Sequence, residues 1–573
     1  MTLENERISL LWPNLTYKEK YNGLINVSER AMTDLGIDHL MRALSIDSRY
    51  NDATRELLVN LCNDEEVLRY RLDVLDDFYR SPGLAAEFER VLPLIRKLDS
   101  FKDRRNLLNA DHLRNISWRS GTLEIYVQCI DSLKNTMDRY ADKIVSAGLR
   151  RLQTQVNDIA GSETFTALKK ELPEFRRAMD SISSVTIGVN LDPELKPAEA
   201  VFLTVEPKPF TKKKSSLLSN LLGLKLTPDD SQGVPLYQNI MKINNSALEQ
   251  ALMKCLEEVF QSSILSIDQA LQKYVHYQTD FITALEFDLA FFIGAHRFLS
   301  KLTKAGFTVC KPKPAPAGER VFRTDHLVDV ILCNGFIQQL PDTNLNRTVI
   351  GNAIEFPPGG SIFILTGPNQ GGKTTYTRSI GIAQLLFQAG IFVPSKEAEI
   401  SPVDWIFTHF CEEEKPNTNN GRLGDESMKL AEIFKQATEQ SLLLLNESLS
   451  STSPRDSYFL ARDVIKGIKL IGCRAVFATH ILELAAKCDE INEELPGESK
   501  LISMVACVDV PEGDKVAHSI ASAKRTFKIV PGPPSQMSFA KDIARKYGIS
   551  FEQIVETLGQ RKQETGKLEQ PVG

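Results

Sequence analysis

Apolar residues recur along this chain at more than one spacing, and the change of spacing divides it. Leu68, Leu72, Leu75 and Phe78 lie three or four apart, which predicts one buried helical face, and Asn63 with Glu66 forms a capping-box pattern in front of it. From Leu236 to Ile293 neither Gly nor Pro occurs. Leu248, Leu252, Cys255 and Val259, then Ile282, Leu285, Leu289 and Phe292, give that stretch an interrupted apolar face. A single helix of this length would span roughly 90 Å; a helical hairpin broken near Ser262 and Ser263 is the alternative. Between the helical blocks, Val185–Leu191 and Ala200–Val205 read as two strands.

Farther along, the helical period gives way to short continuous apolar runs. Ser361–Thr366, Ser441–Leu445 and Arg474–Ala478 have the composition of parallel strands buried on both faces. Thr375 to Ala389 returns to helical spacing through Ile380, Ala383, Leu386 and Phe387. Lys311–Gly318 is proline-rich and predicts a connecting loop. Phe551–Leu558 predicts a last helix, followed by a polar tail.

Composition narrows the class. The chain has 573 residues, enough for three or four domains' worth of core, and 42% hydrophobic with 25% charged residues is ordinary for a globular protein. No apolar run is long enough to span a bilayer, and Met1–Arg7 lacks a signal peptide's basic start, so no membrane partner and a cytoplasmic location are expected. Nine cysteines without a C-x-x-C pair support neither a disulfide framework nor a zinc site. A net charge of −6 argues against a generally nucleic-acid-coating surface but leaves room for a local basic channel.

The chemistry concentrates after residue 360. Gly367-Pro368-Asn369-Gln370-Gly371-Gly372-Lys373-Thr374 fits G-x-x-x-x-G-K-[ST] between a predicted strand and a predicted helix. That order aims backbone N–H groups and a helix N-terminus at phosphate oxygens, so the segment Gly367–Thr375 is the expected nucleotide-binding loop. Lys373 is expected on the β- and γ-phosphates and the Thr374 hydroxyl on Mg²⁺. The strand Ser441–Leu445 ends in Asn446-Glu447, where such ATPases usually carry Asp-Glu. Glu447 is the expected general base, and Asn446 a neutral oxygen donor on the metal side. The strand Arg474–Ala478 ends in Thr479-His480, which places His480 in the crevice as a γ-phosphate sensor or water-orienting group.

The run Thr366–Tyr376 resembles the phosphate loop of the MutS family of DNA mismatch-repair ATPases, typically T-G-P-N-M-G-G-K-S-T-Y. Leu445–Asp456, Phe477–His480, Lys528–Gly532 and Ser538–Gly548 are similar to further family motifs in the same order, and Leu61–Leu75 is similar to a helical core segment. The chain departs from the pattern in several places. Gln370 stands for Met, Thr374 for Ser and Asn446 for Asp; Thr408-His409-Phe410-Cys411 stands for T-R-[IV]-G, and Gly421–Glu426 for S-T-F-M-x-E.

The resemblance implies a multidomain fold: a mainly α-helical core and lever region, then an α/β P-loop ATPase domain of ABC type, then a C-terminal helical dimerisation segment. The ranges it implies are a helical core over 1–180, lever helices with a reduced clamp-like insertion over 181–304, and the ATPase with its terminal helix over 305–573. It also implies a homodimer that hydrolyses ATP with Mg²⁺. The segment with Gly421, Gly424 and Glu426 would open a helix from Ser427 to Ala437 and complete the partner subunit's site. DNA is the implied target, with Lys208, Lys212, Lys213, Lys214 and Phe210 as expected contacts; a solvated lysine-rich loop is the plainer reading of the same run. The mismatch-recognising N-terminal domain of that family is not expected here. Three functions stay open: an ATP-switched DNA clamp, a MutS-like machine on another target such as ribosomes, and a low-turnover ATP-binding regulator.

Overall fold

The computed structural model describes residues 8–103, 112–180, 184–195, 197–206, 208, 280–341, 343–411, 421–509, 524–534 and 547–568. They fall into two compact units. One comprises Met1–Glu89, Tyr140–Leu152 and Ala284–Gly573, the other Arg90–Arg139 and Gln153–Thr283.

The second unit contains the helices His112–Arg139 and Glu163–Asp180, which pack through Tyr126 and Phe165, ring centroids 6.2 Å apart. It also holds the two expected strands, β1 (Ser184–Leu191) and β2 (Pro197–Glu206), as an antiparallel hairpin. The expected lever residues before 280, together with Phe210, Lys212, Lys213 and Lys214, lie outside the described residues.

In the first unit, a small sheet is built from β3 (Lys313–Pro314), β4 (Phe322–Leu327), β5 (Asn352–Phe356) and β7 (Glu397–Ile400), in the order β3-β7-β4-β5. The proline-rich segment is therefore not only a loop: Lys313 and Pro314 pair with Glu399 and Ile400 at the sheet edge, where a proline's missing donor costs nothing. The main sheet comprises β6 (Ser361–Thr366), β8 (Ile406–Phe410), β9 (Leu442–Asn446), β10 (Arg474–Ala478), β11 (Lys500–Asp509) and β12 (Lys524–Pro531). Its order is β12-β11-β6-β10-β9-β8, parallel throughout except for β12. Every residue of β6, β8, β9 and β10 is buried, the reason their sequences are nearly all apolar.

One face of this sheet carries a cluster that includes Ile465, Ile468, Phe477 and Leu484. The helix Pro454–Ile471 contributes to it and is started by Ser453, whose hydroxyl accepts from the Asp456 N–H and donates to the Asp456 carboxylate. The Ser453–Asp456 motif read from the sequence is thus a helix cap. On the other face lies the helix Lys373–Ala389, buried on nearly every side. The N-terminal helices Asn51–Val59 and Glu65–Arg80 pack on its outer side. The cap of Glu65–Arg80 is Asp64, which accepts from Glu66 N–H, whereas Asn63 accepts instead from the Tyr21 hydroxyl. Leu68, Leu72, Leu75 and Phe78 are buried as the spacing predicts, as are Leu285, Leu289 and Phe292 of the helix Asp280–Lys304.

Burying most of a helix leaves little water for its polar groups, which then depend on internal partners. Gln388 donates to the Cys62 and Val403 carbonyls and accepts from Val403 N–H, and Gln384 donates to Gln388 and to the Ser401 carbonyl. Arg71, fully buried, donates to the Gln388 and Leu11 carbonyls and lies over the Trp12 ring at 4.2 Å. The edge strand β8 is covered by residues 26–28: Ser28 N–H donates to the Ile406 carbonyl and Ile406 N–H to the Asn26 carbonyl, each at 3.1 Å. Among the described residues no helix is long and apolar enough to cross a membrane.

The helix Lys373–Ala389 ends at Gly390, with φ +82°, where an added Cβ would lie 2.3 Å from the Arg71 Cβ. Gly390→Ala should therefore lower stability by about 1–3 kcal/mol, since left-handed backbone and overpacking both oppose it. A lower denaturant midpoint, measured beside the parent protein, checks this.

Candidate functional site

Parallel strands end together on one side of the sheet, and the residues just past those ends form the site. The turn after β6 needs its glycines. Gly367 has φ +147° and an added Cβ would meet the Ala506 Cβ at 2.6 Å; Gly372 has φ +94° at the start of the helix Lys373–Ala389. Gln370 holds a left-handed conformation too, φ +61°, without being glycine. Its side chain accepts from Arg525 on β12 at 3.0 Å.

Lys373 is buried rather than standing in an open crevice. Its ammonium donates to the Gly367 and Pro368 carbonyls at 3.1 and 3.3 Å, so it lies within the loop it serves. Burial pulls its pKa down, and the Glu447 carboxylate partly offsets that. Thr374 and Asn446 come together, the hydroxyl donating to the Asn446 amide oxygen at 3.4 Å. Glu447 and His480 come together as well: the carboxylate and Nε2 are 3.0 Å apart. The His480 hydrogen bond holds the Glu447 carboxyl below the ordinary carboxylate range, against the opposite pull of burial. The strand ends are locked in step, with Thr479 N–H donating to the Leu365 carbonyl and Glu447 N–H to the Ala478 carbonyl.

A cavity of about 380 Å³ opens beside the loop. One side is the loop itself with Glu447, and the other is apolar, formed by Leu332, Phe336, Val349, Ile350 and Phe527. A polar end that fits phosphates and an apolar end that fits a flat ring are the two halves of a nucleotide site. The apolar half was not anticipated from sequence. Phe527 directly precedes the motif Lys528–Gly532, and that adjacency was the available signal. Asn352 fixes it in place by donating to the Phe527 carbonyl and accepting from Ile529 N–H.

The helix expected from Ser427 begins earlier, spanning Gly421–Gln436, so Gly421, Gly424 and Glu426 all lie within its first turns. Glu426 is buried, and its carboxylate accepts from the Leu449 N–H of its own chain at 2.9 Å. Lys208 is exposed at the base of the β1–β2 hairpin, its carbonyl accepting from the Ser184 hydroxyl. Among the described residues no cluster of three or more His, Cys, Asp or Glu side chains is arranged to hold a metal ion.

Two family models match this chain: MutS domain V over residues 363–509, and the MutS2 N-terminal domain over residues 63–305. The chain belongs to the MutS family. Its MutS domain V match begins in β6 and takes in the phosphate loop, Asn446, Glu447 and His480. Similar relatives include the DNA mismatch repair protein MSH2 of Saccharomyces cerevisiae, 33% identical over 215 residues, covering 37% of this chain and 21% of that protein. The DNA mismatch repair protein MutS of Chloroflexus aurantiacus is 37% identical over 159 residues, 27% of this chain and 16% of that protein. MutS of Rhodopirellula baltica is 34% identical over 205 residues, 36% of this chain and 21% of that protein. The chain thus spans about a fifth of the length of the curated relatives it matches.

Replacing Lys373 by Ala should abolish nucleotide binding, because among the described residues no other cation lines the loop end of the cavity. Titration with a fluorescent nucleotide measures the loss, and circular dichroism shows whether the variant keeps its fold.

Proposed function

We propose that this MutS-family chain is an ATPase whose turnover is coupled to a nucleic-acid target, working as a homodimer. The observation that carries the reading is the convergence, at one edge of one cavity, of Lys373, the Thr374–Asn446 pair and the Glu447–His480 pair. In this reading the N–H groups of Gly367–Thr375 and the Lys373 ammonium bind the phosphates, while Phe527, Val349 and Ile350 receive the base. Glu447 takes the proton of the attacking water. His480 keeps Glu447 ionised and oriented, so the base is ready at neutral pH. Thr374 and Asn446 are both neutral oxygen donors, which fits Mg²⁺ held mainly by phosphate oxygens and water rather than by a protein cage. When bound there, Mg²⁺ would neutralise charge on the transferred phosphoryl group.

The dimer is supported by the helix Phe551–Leu568, whose Phe551, Ile554, Val555 and Leu558 are exposed at helical spacing. Gly421 and Gly424 are the proposed donors from one subunit toward the other's nucleotide. Glu426 serves its own chain in this reading, since its carboxylate is already engaged.

DNA is proposed because the relatives carry that role in their names. One observation favours another target. The hairpin exposes Ile187, Val189, Leu191, Val201 and Leu203 with the acidic Glu194 and Glu206, a surface that suits protein better than phosphate.

ATP turnover tests the first half. Glu447→Gln should still bind ATP while turnover falls by ~10²–10⁴-fold, the usual range for a lost acid–base group; unchanged turnover would show Glu447 to be structural. Gel shifts with duplex, branched and single-stranded DNA, and sedimentation with ribosomes, test the second. Binding to branched DNA that weakens steeply with salt is the expected result. Ribosome binding without DNA binding would establish the other target.

A further inference from the structure

Glu447 does not reach the cavity from a relaxed backbone. It has φ +56°, and Leu449, two residues on, has φ +62°. Both are left-handed positions at residues with a Cβ, a conformation that persists only where neighbours over-determine it. Three neighbours do so. Glu447 N–H donates to the Ala478 carbonyl. Leu449 N–H donates to the Glu426 carboxylate at 2.9 Å. Between them, the Ser448 hydroxyl lies 2.7 Å from Nδ1 of His409 and donates to the His409 carbonyl at 3.1 Å.

The hydroxyl has one proton. Both of its bonds are made together only when that proton goes to the carbonyl and Nδ1 carries a hydrogen that Ser448 accepts. Nδ1 must therefore carry a hydrogen, as it does in the charged ring and in one of the two neutral tautomers. Burial supplies the neutral form, since the ring is 4% exposed and its pKa is pushed down to about 4, with Arg30 and Lys429 acting in the same direction. Ser448 and Leu449 are each 1% exposed, so a lost partner is not replaced by water.

We propose that Glu426 and His409 are positioning residues for Glu447, holding the turn 447–449 in the conformation that presents its carboxylate to the cavity and to His480. The proposal rests on the reading of Glu447 as the general base. It gives a use to two features that the proposed chemistry leaves unexplained. His409 stands in the segment where the family has T-R-[IV]-G, and Glu426 is kept in a segment that has lost its Ser. It also joins the helix Gly421–Gln436 to the base of the same chain, so a shift of that helix is delivered to Leu449 N–H. A purely structural role for the same bonds would alter stability alone.

The test compares Glu426→Ala, Glu426→Gln and His409→Phe with wild type for ATP affinity, kcat and melting temperature. Gln keeps an oxygen that can accept from Leu449 N–H, and Phe keeps ring volume while cutting the bond to Ser448. We expect the Ala and Phe variants to bind ATP within about twofold of wild type and to lose ~10- to 100-fold in kcat, the scale of a misplaced reacting group. Glu426→Gln should recover most of the rate. If Ala and Gln behave alike, or if affinity falls as far as kcat, the positioning role is overturned. Should Glu426→Ala fail to fold, His409→Phe decides by the same criterion. Wild type without ATP binding or turnover would instead remove the ATPase reading itself.

Discussion

A helix buried along nearly all its length must find partners for its polar groups inside the protein, and the helix Lys373–Ala389 is in that position. The solution is Arg71 on the Gln388 carbonyl, with the Gln388 and Gln384 amides reaching Cys62, Val403 and Ser401. Those partners come from both ends of the sequence, which is why residues up to 89 and residues from 284 onward form one compact unit. The N-terminal helices are not an appendage to the sheet. They are part of the wall that holds the far end of the helix whose near end borders the cavity, and Gly390 is where that wall presses against the helix.

Rigidity at one end permits strain at the other. Gln370, Glu447 and Leu449 all adopt left-handed backbone, and all three border the cavity or its supporting turn. Such conformations cost stability, and they are retained where the surrounding bonds leave no alternative. Gln370 is tied to Arg525, Glu447 to Ala478 and His480, and Leu449 to Glu426. The geometry of the cavity's edge is thus set by bonds between elements distant in sequence rather than by any one motif.

That division explains what the sequence disclosed. The phosphate loop, the buried strands and the His480 strand were legible because local spacing determines them: glycines where φ is positive, unbroken apolar runs where both faces are covered. The hairpin of β1 and β2 followed from its β-branched residues in the same way. Boundaries were less legible. Asp64 caps its helix although Asn63 has the same capping chemistry, because Asn63 is taken by Tyr21. Phe527 was invisible as part of the site, and Glu426, expected to serve the partner subunit, was not legible as the partner of Leu449 in its own chain. Their places come from β12 folding back beside β11, and from a helix whose sixth residue, Glu426, faces Leu449. No local pattern encodes either approach.

The strip of backbone at residues 26–28 has a practical consequence. By pairing with Ile406 it occupies the open edge of β8, the outermost strand of a sheet that is apolar on both sides. A fragment cut to begin at the small sheet would look like a self-contained ATPase domain, yet it would present that edge bare. Unpaired, flat and hydrophobic strand edges recruit other chains. Recombinant pieces lacking the first thirty or so residues are thus poor material for crystallisation or enzymology, however intact their nucleotide loop.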